Sequence, residues 1–183
     1  MELERGAAPD IHRVEDASVN WYLVEAEQGL TIVDAGVPSS WDSLQRVLGE
    51  IGPRCERGPR PRPHPRALRP LQEARIFASE QLDVPGNPQI LFTPGHTLGH
   101  CALYFPDRDA VLAGDAIVML DPYTGARGPR IVAGAATADS GRALRSLDAL
   151  AAVEAGTILT GHGEPWRGGT AEAVRQARAA GAS

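Results

Sequence analysis

With 183 residues, 43% of them hydrophobic and 22% charged, the chain has the composition of one globular domain with a sizeable core. Its net charge of −5 removes any general attraction to nucleic acid or to an anionic membrane face. No apolar run approaches the ~20 residues that cross a bilayer, and Met1-Glu2-Leu3-Glu4-Arg5 is not built like a signal peptide, so a cytoplasmic location is expected.

The first strand signal is weak: Ile11-His12-Arg13-Val14 reads as a short strand. Val19-Asn20-Trp21-Tyr22-Leu23-Val24 and Leu30-Thr31-Ile32-Val33-Asp34 are clearer, joined by a Glu27-Gln28-Gly29 turn. Ser40 is then placed to cap a helix whose apolar residues Trp41, Leu44, Val47, Leu48 and Ile51 recur at helical spacing, with Gly52 closing it. Residues 52–70 break this pattern, because arginine and proline make up 12 of the 19. Proline gives no ladder proton and restricts the residue before it, so extended chain is expected there. Order returns with Ala74-Arg75-Ile76-Phe77-Ala78. Strands are predicted at Gln89–Thr93, Ala102–Phe105, Ala110–Ala113 and Thr157–Thr160. Met119–Ala136 reads as a loop. Asp139 caps a helix that carries Ala143, Leu144, Leu147 and Leu150 on one face, and Thr170–Ala180 reads as a closing helix. Clusters of strands separated by single helices fit an α/β class with two packed sheets and helices outside. The whole of 1–183 is expected to form a single domain.

Three glycine-flanked turns carry chemistry-bearing side chains: Thr93-Pro94-Gly95-His96-Thr97-Leu98-Gly99-His100, Gly114-Asp115-Ala116, and Gly161-His162-Gly163-Glu164-Pro165. Each lies directly after a strand-like run, which is how loops on rigid strands assemble a metal site at the rim of a sheet sandwich. Imidazole nitrogen and carboxylate oxygen are ordinary zinc donors, so His96, Asp115 and His162 are the candidate ligands. Each has a plainer reading, His96 as a turn residue and Asp115 as a turn cap. Tyr123 and Arg130, on the loop just beyond Asp115, are candidate substrate contacts or simply a surface loop. His100 reads either as a support for the site or as a strand cap, and His12 and His64 read as surface residues. Cys55 and Cys101 form no CxxC pair and read as reduced thiols. No Walker-type run and no Gly-x-Ser-x-Gly is present.

In order and rough spacing these three turns resemble the metallo-β-lactamase-fold hydrolases, over residues of about 18–51 and 74–180. The resemblance implies an αββα four-layer sandwich, with its first half disrupted at 52–70. It assigns His96 to a first metal, Asp115 as the carboxylate shared by two metals, and His162 to a second, with zinc as one or two ions. Asp34, in Val33-Asp34-Ala35-Gly36, matches the family's strand-end aspartate that supports the site by hydrogen bonding. The implied activity is zinc-hydroxide attack on the ester, thioester, amide or lactam carbonyl of a small-molecule substrate. The family's Thr-His-x-His-x-Asp-His sequence is absent, and the interval where it belongs holds the Arg/Pro stretch with His64 alone. That departure opens a second reading, a metal-free, non-catalytic relative serving as a binding or scaffold module. All 18 basic residues are arginine and none is lysine, the bias of a GC-rich gene. Arg/Pro-rich text bounded by family sequence is also what such a gene yields when read out of frame.

Overall fold

The computed structural model describes residues 1–34, 36–51 and 81–182. The extended stretch expected at 52–70, the return of order expected at Ala74–Ala78, and Cys55 and His64 lie outside the described residues.

Four antiparallel strands open the chain as a meander: β1 (Glu2–Ala8), β2 (Ile11–Asp16), β3 (Val19–Ala26) and β4 (Gly29–Val33). A one-turn 3₁₀ helix at Pro38–Ser40 leads into α1 (Trp41–Ile51), so Ser40 ends that turn immediately before the helix. The second sheet contains β5 (Gln89–Phe92), β6 (Cys101–Phe105), β7 (Ala110–Gly114) and β10 (Thr157–Thr160), in the order β10-β7-β6-β5. The pair β10–β7 is parallel and the other pairs are antiparallel. Two helices follow the sheet strands, α2 (Ser140–Ala151) and α3 (Thr170–Ala180). The Asp139 carboxylate accepts the Arg142 backbone N–H at 2.8 Å, the cap expected from sequence.

The stretch read as a loop from Met119 to Ala136 is corrected in part. It contributes to a small antiparallel hairpin of β8 (Val118–Leu120) and β9 (Arg127–Arg130), with Val118 opposite Arg130 and Leu120 opposite Arg127. Gly128 and Pro129 made this segment look like turn, but a two-residue pairing needs no strong strand propensity.

Three apolar clusters define the layers. Val14, Trp21 and Leu23 face Leu44 and Val47 of α1. Tyr22 and Val24, on the other face of the same sheet, meet Ala110, Leu112 and Leu159 of the second sheet. Val111, Ala113 and Ile158 point the opposite way and pack with Leu147 and Leu150 of α2 and Ala173, Val174 and Ala177 of α3. Alternation along β3 and β7 sends successive side chains into adjoining layers, and the result is α1, sheet, sheet, α2 with α3. This is the αββα arrangement. Truncating a side chain such as Leu147 or Ile158, both 0% exposed, is expected to cost about 2–5 kcal/mol. Among the described residues no helix is long and apolar enough to cross a membrane.

The strands β5, β7 and β10 run in one direction, so the loops leaving Phe92, Gly114 and Thr160 all emerge at the same end of the sandwich. The backbone N–H of Asn20, at the start of β3, donates to Gly161 O at 2.8 Å, which brings the first sheet to that same rim. Pairing of Tyr22 with Val33 then puts Asp34 there as well.

Candidate metal centre

Asp115 lies at the middle of the rim. Its Oδ2 is 3.5 Å from His96 Nε2, and its Oδ1 is 3.7 Å from His162 Nε2. One carboxylate therefore faces two imidazoles, each through its own oxygen. The three side chains are 26%, 21% and 15% exposed in the order Asp115, His96, His162, so solvent reaches the cluster without flooding it.

The backbone explains why these atoms meet. Gly161 has no side chain, and a Cβ there would stand 2.2 Å from Asp115 Oδ1, so the carboxylate occupies the space a side chain would fill. Gly114, with φ +51°, turns the chain out of β7 in the left-handed region. Gly161 N–H donates to Gly114 O at 2.9 Å, joining the two ligand loops. On the His96 side, Asp139 N–H donates to Gly95 O at 3.0 Å and Ala138 N–H to His96 O at 3.1 Å, so the start of α2 holds that loop.

His162 is oriented from the other sheet. Its Nδ1 lies 2.7 Å from the carbonyl oxygen of Ser18. A carbonyl only accepts, so Nδ1 carries a proton, and Nε2 is the ring nitrogen turned toward Asp115. Asn20, buried among apolar neighbours, donates from Nδ2 to Thr160 O at 2.9 Å and to Gly163 O at 2.7 Å, bracketing His162. Tyr22 Oη donates to the same Thr160 carbonyl at 2.6 Å, and burial pushes its phenol well above the ordinary tyrosine range. Arg13, 2% exposed, donates to Glu164 at 2.8 Å and to Glu15 at 2.8 Å, and so ties the end of the His162 loop to β2.

His100 stands behind Asp115. Its Nε2 accepts the Asp115 backbone N–H at 3.1 Å, and Nδ1 is 2.8 Å from Thr93 Oγ1. Burial holds its pKa below the usual histidine range, which keeps the ring neutral. Cys101, next in sequence, is half-buried with its thiol directed to Gly99 O at 3.6 Å, and burial raises its pKa.

The remaining candidates are placed less centrally. Asp34 is exposed at the end of β4 with φ +60°, and its Oδ1 accepts Gly36 N–H at 3.0 Å. Tyr123 is 66% exposed at the tip of the β8–β9 hairpin. Arg130 folds back on its own strand, donating to Gly128 O at 3.1 Å and to Arg127 O. A groove of about 260 Å³ runs beside His162 and is lined by Glu15, Ser18, Met119, Arg127, Glu164 and Trp166. Its arginine is thus Arg127, which the sequence reading did not single out. A larger cavity of about 580 Å³, bordered by Asp10, Ala26, Gln89, Phe105 and Arg108, lies at the opposite ends of the same strands, away from Asp115.

The donor set fits a metal centre in kind. Asp115 Oδ1, the oxygen facing His162, is buried with no hydrogen-bond partner among the described residues, an arrangement costing about 1–3 kcal/mol unless something else satisfies it. The set closes no coordination shell, however. Among the described residues no group of three or more His, Cys, Asp or Glu is arranged to hold one ion. What they supply is one imidazole and one carboxylate oxygen toward each of two positions.

Comparison with known proteins gives the same picture. The model of the metallo-beta-lactamase superfamily matches residues 51–162, which include His96, Asp115 and His162. A probable metallo-hydrolase of Bacillus subtilis, YflN, is 35% identical over 85 residues, 42% of this chain and 31% of that protein. A hydroxyacylglutathione hydrolase of Hyphomonas neptunium is 37% identical over 49 residues, 26% of this chain and 19% of that protein. The chain therefore matches no more than a third of the length of these curated relatives. The fold is that of a metallo-beta-lactamase family protein of Thermus thermophilus, with a TM-score of 0.63 and 21% identity over 92% of this chain and 78% of that one. It is also that of TTHA1623, solved in a di-iron-bound form, with a TM-score of 0.51 and 19% identity over 85% of this chain and 92% of that one. The αββα layers, the three loops on one rim and a family match over more than half of its length together make this chain a member of the metallo-beta-lactamase superfamily.

Proposed function

We propose that the chain is a metal-dependent hydrolase acting on the ester, thioester, amide or lactam carbonyl of a small molecule. The observation that carries this reading is the Asp115 carboxylate, one oxygen 3.5 Å from His96 and the other 3.7 Å from His162. His96, Asp115 and His162 would hold the metal, zinc being the natural choice for imidazole and carboxylate donors. A bound divalent cation supplies a Lewis acid and lowers the pKa of water at neutral pH.

The chain's own residues do the rest. Asp115 presents two oxygens to two positions without rotating, because Gly161 leaves room for Oδ1 and nothing else. Ser18 holds Nδ1–H of His162 and leaves Nε2 as the ring nitrogen turned toward Asp115. The groove on the Ser18 side of His162 has Arg127 and Glu164 as polar and Met119 and Trp166 as apolar lining. None of His96, Asp115 and His162 lines it, so it would take a part of the substrate remote from the reacting carbonyl. Asp34, on the same rim, supports the site from the end of β4. The relative named as a hydroxyacylglutathione hydrolase makes an acylglutathione the first substrate to assay.

A second reading, a metal-free scaffold or binding module, is favoured by one observation: among the described residues no three donors converge on one ion. Elemental analysis after mild dialysis separates the two, with a His96→Ala/His162→Ala variant alongside. One or more zinc ions per chain, lost in the variant, supports the hydrolase. Metal no higher than in the variant sinks it in favour of the scaffold.

A further inference from the structure

His100 begins the strand that follows the His96 loop, and both of its ring nitrogens are engaged. Nε2 accepts the Asp115 backbone N–H at 3.1 Å. An accepting ring nitrogen carries a lone pair, so the proton of the neutral ring resides on Nδ1 and is donated to Thr93 Oγ1 at 2.8 Å. Thr93 is 1% exposed, and its own N–H donates to His100 O at 3.0 Å, so the imidazole is clamped from backbone and side chain together. Gly114 completes the arrangement. A Cβ at that position would stand 2.8 Å from His100 Nε2, so glycine is what lets the ring reach the amide of the next residue. The His96 and His100 rings meet edge to face, with centroids 6.2 Å apart. Close as it is, His100 has no nitrogen left for a metal.

We propose that His100 is a positioning residue: in its Nδ1–H tautomer it grips the backbone of Asp115 and thereby holds the carboxylate between His96 and His162. The inference rests on the reading of Asp115 as the shared ligand. The turn around Asp115 is closed by Ala116 N–H to Ala113 O at 3.1 Å and by Gly161 N–H to Gly114 O at 2.9 Å. The Asp115 N–H itself is held by His100 Nε2, the restraint that acts on the ligand residue directly. A residue lacking an acceptor at 100 leaves the Asp115 N–H unheld while the flanking backbone bonds remain, and both half-sites loosen together.

The test begins on the metal-free, ¹⁵N-labelled protein. Long-range ¹H–¹⁵N spectra of the histidine rings are expected to show His100 as the Nδ1–H tautomer at pH 7.5, with scalar coupling across the hydrogen bond between its Nε2 and the Asp115 amide nitrogen. An Nε2–H tautomer, or no coupling, overturns the proposal. Amide exchange at Asp115 is then compared in His100→Ala, which has no acceptor, and His100→Gln, whose amide oxygen reaches as far as Nε2. Exchange in the alanine variant is expected to be at least about tenfold faster than in the wild type, with most of that loss recovered in the glutamine variant. Equal exchange in the two variants reduces His100 to packing and overturns the proposal. If the alanine variant does not fold, the wild-type tautomer and coupling still decide. Cobalt(II) titration, followed by visible absorption, is expected to rank wild type above glutamine above alanine. A wild type that binds no cobalt removes the hydrolase reading and leaves the His100 result standing on the first two measurements.

Discussion

His162 and Ser18 are hydrogen-bonded at 2.7 Å although 144 residues separate them in the chain. A candidate ligand on the second sheet is thus aimed by a turn of the first. That turn is itself constrained: Ala17 and Ser18 have φ of +54° and +65°, a region that side chains with a Cβ adopt at a cost. Ser18→Gly keeps the carbonyl and removes the conflict, so it is expected to raise stability by about 0.5–1 kcal/mol with the His162 tautomer unchanged. Ser18→Val, β-branched in the same region, is expected to lower stability by about 1–2 kcal/mol and to broaden the His162 ring signals. Urea unfolding and histidine ring spectra read both outcomes, and a glycine variant less stable than the wild type would refute the strain argument.

Asn20 makes a sharper case, because one side-chain amide serves the carbonyls on both sides of His162. Asn20→Ala removes both bonds and leaves Gly163 O without its donor, for an expected loss of about 1–3 kcal/mol. Asn20→Asp is expected to be worse at pH 7, since a carboxylate would face two carbonyl oxygens with no proton to offer. Below a pH of about 4 the acid form can donate once, so the gap between the two variants should narrow. Urea midpoints at pH 7 and pH 4 decide, and an aspartate variant as stable as alanine at pH 7 would count against it.

Much of the fold was legible because it repeats in the sequence. The strand-like run Val19–Val24 and helical spacing from Trp41 to Ile51 marked elements the structure places at β3 and α1. The Asp139 cap and the Thr170–Ala180 helix also stand where the sequence put them. Strand β1 escaped notice: Glu2–Ala8 is mostly charged or small, only Ala7 and Ala8 are buried, and its register slips around Gly6. Pairing with β2 makes it a strand, and pairing is not a local property. The three turns that the structure brings to one rim were legible as motifs, but the residues that hold them there were not. Ser18, Asn20 and Arg13 act across the sheets on a loop about 140 to 150 residues away. The available signal was Asn20 itself, a polar side chain inside the apolar run Val19-Asn20-Trp21, where burial demands a partner.

Tyr22 gives a pH prediction from the same cluster. Burial is the main cause of its raised pKa, so the folded state retains a proton that the unfolded chain releases near pH 10. Above that pH the folded state binds more protons than the unfolded one, and stability must fall as pH rises. The contribution is fully present below pH 10 and is lost progressively above it. Tyr22→Phe abolishes this dependence while costing about 1 kcal/mol at neutral pH, since Thr160 O keeps its bond from Asn20. Urea midpoints of the two proteins should converge between pH 9 and pH 11. Parallel curves would show that the phenol ionises in place.

The Arg/Pro interval has its own check. The hypothesis that residues 52–70 are out-of-frame text predicts that another frame of the coding DNA across this interval encodes a His-x-His-x-Asp-His sequence. Its motivation is 12 arginines and prolines among 19 residues, inside a match to the superfamily that begins at residue 51. Sequencing that stretch from the source genome, with no such sequence in any frame, eliminates the idea and leaves a divergent relative.

Two glycine-to-alanine changes should separate stability from binding. A Cβ at Gly95 would lie 2.2 Å from the backbone nitrogen of Ala143, and one at Gly161 would lie 2.2 Å from Asp115 Oδ1. The clearances are equal, but the obstacles differ. At Gly95 the obstacle is the first turn of α2, where φ of the glycine is +146° and the residues leading into the helix donate two hydrogen bonds to this loop's carbonyls. The helix cannot yield without giving up its packing on Leu147 and Leu150, so Gly95→Ala is expected to cost at least about 3 kcal/mol, a large share of a typical total of about 5–15 kcal/mol. At Gly161 the obstacle is the end of a side chain, which can rotate away. Gly161→Ala is therefore expected to change stability by less than about 1 kcal/mol. Rotation of the carboxylate breaks its alignment with His162, so metal affinity should fall at least about tenfold, an effect of the size seen when the supports of metal ligands are removed. Thermal melts with and without zinc measure both quantities together: the Gly95 variant should melt early in either condition, whereas the Gly161 variant should melt like the wild type without zinc and gain less from it than the wild type does. A Gly161 variant that keeps the full zinc shift would mean Asp115 is not the residue that holds the metal.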